Sequence, residues 1–379
     1  MSNIPIPFNK PNLFGGETEK ISDLFQVGRI GGDWEFTKKC QELLEIESGA
    51  AKVFLTSSCT HALEMAAILL DFEQGDEVII PSYTFVSTAN AFLLRGGRPI
   101  FVDIDPKTLN LDPLRVEEKV NIRTKAIVPI HYGGVSAEMK SICEIAERHG
   151  FHVVEDNAHG LFGRYRGKAL GSFGTLATQS FDEAKNFTCG QGGALVVNDP
   201  SLVERAEVIR DRGTNRGKFF RREADRYQWV DLGSNYALSE INAAILLFQL
   251  ENRERIQARR KMIWERYRDS LDAWAKCTGS TLPHVPSDCI PSYHIFYILF
   301  PERQIRDSLI DKLAEKKISC LSHYSPLHLS LAGKKLGYKE GDCPVAESLS
   351  ERLLRLPLFF DLKTEDQTRI IDVILESKI

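Results

Sequence analysis

No apolar run in this 379-residue sequence approaches the roughly 20 residues that a membrane-spanning helix requires. The N-terminal segment Met1–Phe8 has neither a basic region nor an apolar core, so we expect no signal peptide and a cytoplasmic protein without membrane contact. Cationic residues are not in excess, because 52 aspartates and glutamates outnumber 48 lysines and arginines. Nucleic-acid-binding proteins usually carry a basic excess or patch, so we expect no nucleic-acid partner.

Metal and nucleotide signatures are also missing. The eight cysteines are scattered and form no C-x-x-C pair, so we predict reduced thiols and no metal site. Neither the dinucleotide fingerprint G-x-G-x-x-G nor the P-loop pattern G-x-x-x-x-G-K-S/T occurs. A nicotinamide-dependent oxidoreductase is therefore a disfavoured alternative, although an alternating sheet would allow it.

Short runs rich in Val and Ile alternate with helical patterns from about residue 50 to residue 200, which predicts a parallel sheet with helical crossovers. Several runs are almost continuously apolar, as in strands that are covered on both faces. Apolar residues at helical spacing from Met139 to Ala146 predict a helix that ends at Gly150. The predicted strands are Lys52–Thr56, Glu77–Ile80, Pro99–Asp103, Lys125–His131, Phe151–Glu155, Leu176–Phe181 and Gly193–Asn198.

The pattern changes after residue 235. A long helical pattern begins at Leu238 and continues, with a break, to Tyr267. Beyond it we predict strands at Tyr293–Phe300 and Ile318–Leu321, and helices around Leu309–Ala314, Ser348–Leu356 and Thr368–Leu375. This mixture indicates a smaller α+β domain. We place the large domain at residues 1–250 and the small domain at residues 251–379.

Polar residues follow two of the predicted strands, at the edge where open parallel sheets bind ligands. Small hydroxyl residues in Thr56–Thr60 precede a helix whose first N–H groups can hold a phosphate, although Ser58 or Thr60 can also be an ordinary helix N-cap. Glu155 and Asp156 close an apolar strand, which suggests that one of them points into a site rather than into solvent.

A lysine lies between two further predicted strands. Lys185 ends the segment Ser180–Lys185, and the glycines of Gly190–Gly193 that follow allow a close backbone approach to a ligand. A lone lysine usually faces solvent. The predicted position of Lys185 beside the other two polar features suggests instead that it belongs to a functional site.

These features together match the needs of pyridoxal phosphate (PLP), which requires an amine, a carboxylate for its ring nitrogen and a phosphate cradle. Lys185, Asp156 and the Ser58–Thr60 turn would provide them, with the lysine amine also moving protons. Phe85, which follows another strand, is placed to flank the ring, with a core phenylalanine as the alternative reading. The sequence therefore predicts a PLP enzyme.

Five motifs in combination make the chain similar to the DegT/DnrJ/EryC1/StrS family of sugar aminotransferases. They are T-S-S-C-T-H-A-L from Thr56, P-S-Y-T-F-V-S-T-A-N from Pro81, V-E-D-N-A-H-G from Val154, S-F-D-E-A-K from Ser180 and D-L-G-S-N-Y from Asp231. The resemblance covers essentially the whole chain. It implies the aspartate-aminotransferase fold (PLP fold type I), with a seven-stranded, mixed, mostly parallel sheet and a smaller α+β C-terminal domain.

The resemblance also implies roles around the cofactor ring. Lys185 is the catalytic Schiff-base lysine and Asp156 the partner of the pyridinium nitrogen. Phe85 stacks on the ring, and His159 lies near the phenolic oxygen. Pyridoxamine phosphate is implied as the intermediate form of the cofactor.

The phosphate contacts implied by the resemblance come from two subunits. Cys59 and Thr60, next to Ser58, offer backbone amides, and Ser180 offers its hydroxyl. Asn235 matches an asparagine that reaches the phosphate of the neighbouring subunit. A homodimer with shared active sites follows.

A closer match lies in Gly213–Arg221 and Tyr227–Asp231, which resemble the family branch that makes a galacto-configured amino sugar. It implies amino transfer from L-glutamate to C4 of dTDP-4-dehydro-6-deoxy-D-glucose, giving dTDP-4-amino-4,6-dideoxy-D-galactose. The product would enter a cell-surface polysaccharide of the enterobacterial common antigen or O-antigen type.

Alternatives within the family are amination at C3, a gluco outcome at C4, and a dehydratase, which would carry histidine in place of Lys185. A non-catalytic PLP-binding regulatory protein is the alternative from another class. The candidate substrate contacts are Arg212, Arg216, His323 and Tyr324. Arginine suits phosphate oxygens because its planar fork donates in pairs, and solvent-facing arginines are the competing reading.

Overall fold

A seven-stranded sheet forms the centre of the computed structural model, which describes residues 4–377. The strands in chain order are β1 (Lys52–Thr56), β2 (Glu77–Pro81), β3 (Arg98–Val102), β4 (Thr124–Ile127), β5 (His152–Asp156), the two-residue strands β6 (Arg164–Tyr165) and β7 (Lys168–Ala169), β8 (Leu176–Ser180), β9 (Gly193–Val197), β10 (Cys289–Ile290), β11 (Phe296–Leu299) and β12 (Leu353–Leu356). In the large sheet the order is β1-β9-β8-β5-β4-β2-β3, and β9 alone among these strands runs antiparallel to its neighbours β1 and β8. The predicted mixed, mostly parallel sheet of seven strands is confirmed.

Each central strand is covered on both faces because its apolar residues alternate between two hydrophobic clusters. Val78 and Ile80 of β2 belong to one cluster, whereas Ile79 between them belongs to another on the opposite face. All five residues of β2 are buried. Continuous apolar sequence in this strand is therefore the direct result of burial on both sides.

Helices pack against both faces of the sheet and continue into the C-terminal part. They are α1 (Glu17–Val27), α2 (Glu35–Ser48), α3 (Cys59–Leu69), α4 (Val86–Leu93), α5 (Pro113–Glu117), α6 (Met139–His149), α7 (Val203–Arg210), α8 (Arg216–Phe220), α9 (Glu240–Glu251), α10 (Arg253–Thr278), α11 (Arg303–Glu315), α12 (Leu331–Lys335), α13 (Pro344–Arg352) and α14 (Thr364–Leu375). Helix α6 ends as predicted at Gly150, which has a φ of 72° and donates its N–H to the carbonyl of Ala146 at 2.8 Å. Within residues 4–377, no helix is both long and apolar enough to cross a bilayer.

The C-terminal part differs from the prediction in two places. The predicted strand at Ile318–Leu321 is wrong, because its ends form only isolated bridges to two different segments, Ile6 and Arg355. The predicted helix over Ser348–Leu356 stops at Arg352, and the next four residues become β12 and pair with β11. Leucine-rich sequence fits either structure, so tertiary pairing decides the outcome here.

The predicted division into domains near residue 250 coincides with the break between α9 and α10 at Asn252. A separate hydrophobic cluster joins α10, α11, α14, β11 and β12 and includes Ile6 from the N-terminal segment. The boundary itself stays a prediction. For function, the important result is that β12 brings the C-terminal part against the ends of the large sheet.

Candidate active site

A cavity of about 790 Å³ lies at the ends of β5 and β8. Its walls contain most of the site residues predicted from the sequence: Ser58, Cys59, Thr60, Phe85, Asp156, His159, Ser180, Lys185, His323 and Tyr324. Arg212, Arg216 and Asn235 are not among the lining residues. The structure thus brings together the predicted ring and phosphate residues of one chain and leaves out the loop residues.

The start of α3 forms one end of the cavity. Ser58 is the N-cap, and its Oγ accepts a hydrogen bond from the His61 N–H at 3.1 Å. Its carbonyl accepts the first helical hydrogen bond, from Ala62. The N–H groups of Cys59 and Thr60 lie in the first turn of α3, so no carbonyl one turn earlier in the helix accepts a hydrogen bond from them. They form part of a helix N-terminus, which favours anions. N-capping and phosphate binding, the two readings of this segment, are therefore compatible.

Gly193 allows β9 to lie directly against this helix start. A Cβ atom at Gly193 would lie 2.3 Å from the Cys59 nitrogen and 2.4 Å from the Ser58 carbonyl carbon. Both are backbone atoms that cannot rotate away. Glycine is therefore required for close approach here, as the glycine-rich sequence after Lys185 suggested.

Asp156 is a buried carboxylate, 5% exposed, at the end of β5. Its Oδ2 accepts a hydrogen bond from Thr88 Oγ1 at 2.9 Å, and its Oδ1 accepts one from the Ala158 N–H at 3.2 Å. Burial nevertheless raises the pKa of Asp156, because these hydrogen bonds and the nearby Lys185 only partly offset desolvation. A cation beside this carboxylate would restore its charged form.

The neighbouring Glu155 points to the other face of β5 and plays a structural part. It is fully buried and accepts hydrogen bonds from the N–H groups of Gly171, Phe173 and Gly174 at 2.9, 2.7 and 2.8 Å. Its Oε2 also lies 3.0 Å from His131 Nε2. The expectation that one of the two adjacent acids points into a site agrees with this geometry, and that acid is Asp156.

Lys185 projects into the cavity from the loop between β8 and β9. Burial lowers the pKa of Lys185, while the nearby Cys59 and Asp156 act in the opposite direction. Among residues 4–377, none accepts a hydrogen bond from its Nζ or forms a salt bridge with it. An amine with a lowered pKa and no fixed partner is suited to nucleophilic attack on a carbonyl compound.

His159 is held neutral beside these groups. Its Nδ1 accepts a hydrogen bond from the Gly133 N–H at 3.3 Å, which leaves the proton on Nε2, 3.4 Å from the Tyr324 hydroxyl. Burial, together with the positive charge of Lys185, holds the pKa of His159 well below its ordinary value. His159 can therefore donate a hydrogen bond from Nε2 at neutral pH.

Aromatic groups line the remaining wall. Phe85 caps α4 and is 57% exposed, so it is not the core residue of the competing reading. The rings of His323 and Tyr324 stack with centroids 3.9 Å apart. These flat surfaces fit a planar ring system better than a branched aliphatic ligand.

Sequence reasoning missed several residues of the cavity wall, and three of them bear on the chemistry of the site. Thr88, which binds Asp156, stands three residues after Phe85 on the same helix, and that spacing was an available signal. His294, whose ring centroid lies 4.4 Å from that of His159, precedes β11 in the C-terminal part and had no such signal. Arg355 was hidden because its segment was predicted as helix instead of strand.

The loop residues lie elsewhere. Arg212 and Arg216 both form ion pairs with Asp211, the second at 3.3 Å. Asn235 is exposed, and its backbone forms a bridge with Asp211. Their predicted roles in binding the substrate and the partner's phosphate stay predictions.

The groups that line the cavity fit PLP, and the observations that show this fit do not depend on the sequence motifs. Counting only partners within residues 4–377, the cavity contains an unpartnered amine, a desolvated carboxylate and a helix N-terminus with free N–H groups. Lys185, Asp156 and the Ser58–Thr60 turn are the residues that would hold it.

Comparison with known proteins agrees with this assignment. The DegT/DnrJ/EryC1/StrS aminotransferase family matches residues 19–375. A pleiotropic regulatory protein of Geobacillus stearothermophilus is 36% identical over 90% of this chain and 89% of its own length, and the spore coat polysaccharide biosynthesis protein SpsC of Bacillus subtilis is 31% identical over 97% and 96%. The crystal structure of S. venezuelae DesV, in complex with a ketimine intermediate, shares 31% identity and a TM-score of 0.89, covering 98% of each chain. This chain therefore belongs to the DegT/DnrJ/EryC1/StrS family, as a PLP-dependent aminotransferase of fold type I.

Proposed function

We propose that the chain is a nucleotide-sugar aminotransferase that transfers the amino group of L-glutamate to C4 of dTDP-4-dehydro-6-deoxy-D-glucose. The product would be dTDP-4-amino-4,6-dideoxy-D-galactose, so the proposed activity is that of a dTDP-4-amino-4,6-dideoxygalactose transaminase. Amino transfer is supported above all by one observation, the unpartnered Lys185 amine in the same cavity as the buried Asp156 carboxylate. The choice of sugar rests on the resemblance in Gly213–Arg221.

Each side chain then has a defined task. PLP, when bound, supplies an electron sink that stabilises negative charge at the carbon exchanging its amino group. Asp156 would hold the ring nitrogen in its protonated form, and neutral His159 would donate a hydrogen bond to the phenolic oxygen. Lys185 would hold the cofactor through Nζ, and the same amine would take up and return the proton of the reacting carbon. Phe85 flanks the ring.

The phosphate would be held at the start of α3 by the backbone amides of Cys59 and Thr60, with the hydroxyls of Ser58 and Ser180. We propose that Asn235 of a partner subunit completes this site in a homodimer. Asn235 is exposed, and the segment between the end of α8 and Asn235 carries exposed Phe220, Trp229 and Leu232. Large apolar residues grouped on a surface are typical of a protein interface.

One relative, SpsC, is named for spore coat polysaccharide biosynthesis, which supports a part for this chain in polysaccharide synthesis. Two departures from the expected motifs, His159 where the galacto branch usually has glutamine and Asp182 where it has histidine, leave C3 or gluco-C4 amination as the alternative. A second alternative is a PLP-binding protein without catalysis, because one relative is named as a regulatory protein. The intact pair of Lys185 and Asp156 favours catalysis over both that reading and a dehydratase.

The test is incubation of the purified enzyme with L-glutamate and dTDP-4-dehydro-6-deoxy-D-glucose, followed by NMR of the sugar product. An axial amine at C4, with formation of 2-oxoglutarate, supports the proposal. An equatorial amine at C4, an amine at C3 or no amino sugar contradicts it. Lys185→Ala serves as the control for non-enzymatic amination.

A further inference from the structure

His294 is a cavity residue that the proposed roles leave unused. It belongs to the segment Ser292–Ile295, which precedes β11 and reaches from the C-terminal part to the loop that carries Lys185. His294 is 6% exposed, and its ring centroid lies 4.4 Å from that of His159. A segment of the C-terminal part therefore forms part of the site, next to two of its polar side chains.

Helix α10 holds this segment from behind. Arg260 donates from Nε to the carbonyl of Tyr293 at 3.1 Å and from Nη2 to the carbonyl of His294 at 2.6 Å. Trp264 Nε1 donates to the carbonyl of Ile295 at 3.1 Å. Arg260 is 3% exposed and forms no salt bridge within residues 4–377, so burial lowers its pKa to about 9. A guanidinium that is buried at such a cost and bound to main-chain carbonyls indicates a backbone whose position is fixed.

The same contacts maintain a strained residue directly before His294. Tyr293 has a φ of 57°, in the left-handed region that bulky side chains rarely adopt. Strained conformations of this kind persist only where the surrounding structure fixes them, and they concentrate at functional sites. The hydrogen bond from Arg260 to the Tyr293 carbonyl is such a contact, so the buried charge and the strain occur at the same point of the chain.

Asn186, the residue after Lys185, meets the segment from the other side. Its Nδ2 donates to the carbonyl of Ser292 at 2.8 Å, which identifies its Oδ1 as the acceptor that faces His294 Nδ1, also at 2.8 Å. Asn186 is 5% exposed, and both hydrogen bonds that its side chain forms among residues 4–377 go to this segment. The C-terminal part therefore holds the main chain next to Lys185.

His294 is neutral, and the place of its ring proton is defined. Burial, together with the nearby His159 and Lys185, holds the pKa of His294 well below its ordinary value. Since Asn186 Oδ1 is an acceptor, the single ring proton is on Nδ1 and is donated to Asn186. Lys185 Nζ has no acceptor among residues 4–377, so the direction of this side chain depends on how its backbone is held.

We infer that His294 is a positioning residue that, through its hydrogen bond to Asn186, directs the Lys185 amine toward the cofactor aldehyde. In the capture step Nζ and the aldehyde carbon form a C=N bond, and the aldehyde oxygen leaves as water with both amine protons. The inference rests on the proposed role of Lys185 and does not depend on the identity of the sugar. The competing reading is that His294 only packs against His159.

The test separates capture of the aldehyde from binding of the rest of the cofactor. Pyridoxamine phosphate has the same ring and phosphate as PLP but no aldehyde. Its affinity for the cofactor-free protein, measured by calorimetry, therefore reports the phosphate cradle and the contacts of the ring. The rate of PLP capture at saturating PLP, measured by stopped-flow absorbance, reports the Lys185 amine.

Two substitutions of His294 distinguish the hydrogen bond from the packing of the ring. His294→Phe keeps a ring without the donor, whereas His294→Asn has an amide that can donate from nearly the position of Nδ1. His149→Phe is the matched control, because His149 is exposed and its Nε2 lies 3.0 Å from Glu117 Oε1.

For His294→Phe we expect the capture rate to fall about tenfold or more, with the affinity for pyridoxamine phosphate within about twofold of the parent value. His294→Asn should recover most of the rate, and the control should match the parent. Asn186→Ala breaks the same hydrogen bond from the other side and should slow capture by a similar factor. Combining it with His294→Phe should add little, because both substitutions remove one shared contact.

An unchanged capture rate in His294→Phe overturns the inference. A parallel loss of affinity for pyridoxamine phosphate also overturns it, because His294 would then act by packing against His159, and so does a rate in His294→Asn as low as that of His294→Phe. If His294→Phe does not fold, Asn186→Ala decides by the same two measurements.

Lys185→Ala separates this inference from the proposed role of the lysine. Capture of PLP by Lys185→Ala at the parental rate would refute that role and, with it, the inference. No capture by Lys185→Ala together with normal capture by His294→Phe would refute the positioning by His294 alone.

Discussion

Single residues set the chemistry of this cavity, and Lys185 is the first to test. We expect Lys185→Ala to abolish turnover and the visible absorption of the bound cofactor, because within the described chain the cavity offers no other lysine. Lys276→Ala is a suitable control, since Lys276 is exposed and forms a salt bridge with Asp272 at 2.6 Å away from the cavity. Retention of substantial activity by Lys185→Ala would contradict its role.

The lowered pKa of Lys185 makes a second prediction at this scale. The amine attacks an aldehyde only in its neutral form, and burial moves its pKa below the ordinary value of 10.5. The rate at which the cofactor-free protein takes up PLP should therefore rise with pH and reach its plateau with a midpoint below 10.5. Stopped-flow absorbance over a pH series measures this. A midpoint at or above the ordinary value would contradict the burial argument.

Asp156 is predicted to act through its charge. Asp156→Asn keeps the size and the Thr88 contact but removes the carboxylate, and breaking a buried charge pair of this kind costs about 2–5 kcal/mol. We expect amino transfer to fall about a hundredfold or more, with an unchanged circular dichroism spectrum. Near-normal kinetics would place the ring nitrogen away from Asp156.

Secondary-structure elements bring these residues together, and Gly193 shows how little space they leave. Gly193→Ala places a methyl group against the backbone at the start of α3, and such overpacking costs about 1–3 kcal/mol. We expect a lower urea midpoint and weaker PLP binding. Gly31→Ala is the matched control, because a Cβ there meets no atom within 4 Å. Equal stability of the two variants would contradict the close packing of β9 against the start of α3.

How far the sequence predicts this site depends on the element involved. Lys185, Asp156 and the Ser58–Thr60 turn follow strands whose apolar runs are unambiguous, so their convergence at one edge of the sheet was predictable. Arg355 was not, because Leu353–Leu356 suits a helix as well as a strand until β11 pairs with it. His294 belongs to the C-terminal part, and its approach to His159 depends on packing that spacing along the chain does not encode.

At the scale of the whole molecule, the proposed shared site makes a prediction about mixtures. If Asn235 serves the partner's cavity, a hybrid of Lys185→Ala and Asn235→Ala chains has one site in which both residues are native. Random exchange of equal amounts makes half of the dimers hybrids, each with one native site of two, so about a quarter of parental activity should be restored. The residual activity of Asn235→Ala alone is subtracted from this value. Subunit exchange followed by a turnover assay measures it.

The matched control mixes Lys185→Ala with Asp156→Asn. Both residues line the cavity of the same chain, so no hybrid contains a site in which both are native, and no recovery is expected. Equal recovery in the two mixtures, or full activity of a monomer, would refute the shared site.

The opposite orientation of Glu155 and Asp156 has a consequence for how β5 tolerates insertions and deletions. A shift of one residue in strand pairing exchanges the two faces of a strand. Here a shift of one place toward the start of β5 would put Asp156 where Glu155 stands, facing the amides of Gly171 and Gly174, and Glu155 where Val154 stands, in the hydrophobic core. A single-residue deletion at the start of β5 should therefore be tolerated only where the preceding loop absorbs it, and a library of such deletions, screened for solubility and for cofactor colour, would show whether these two acids fix the register of the strand.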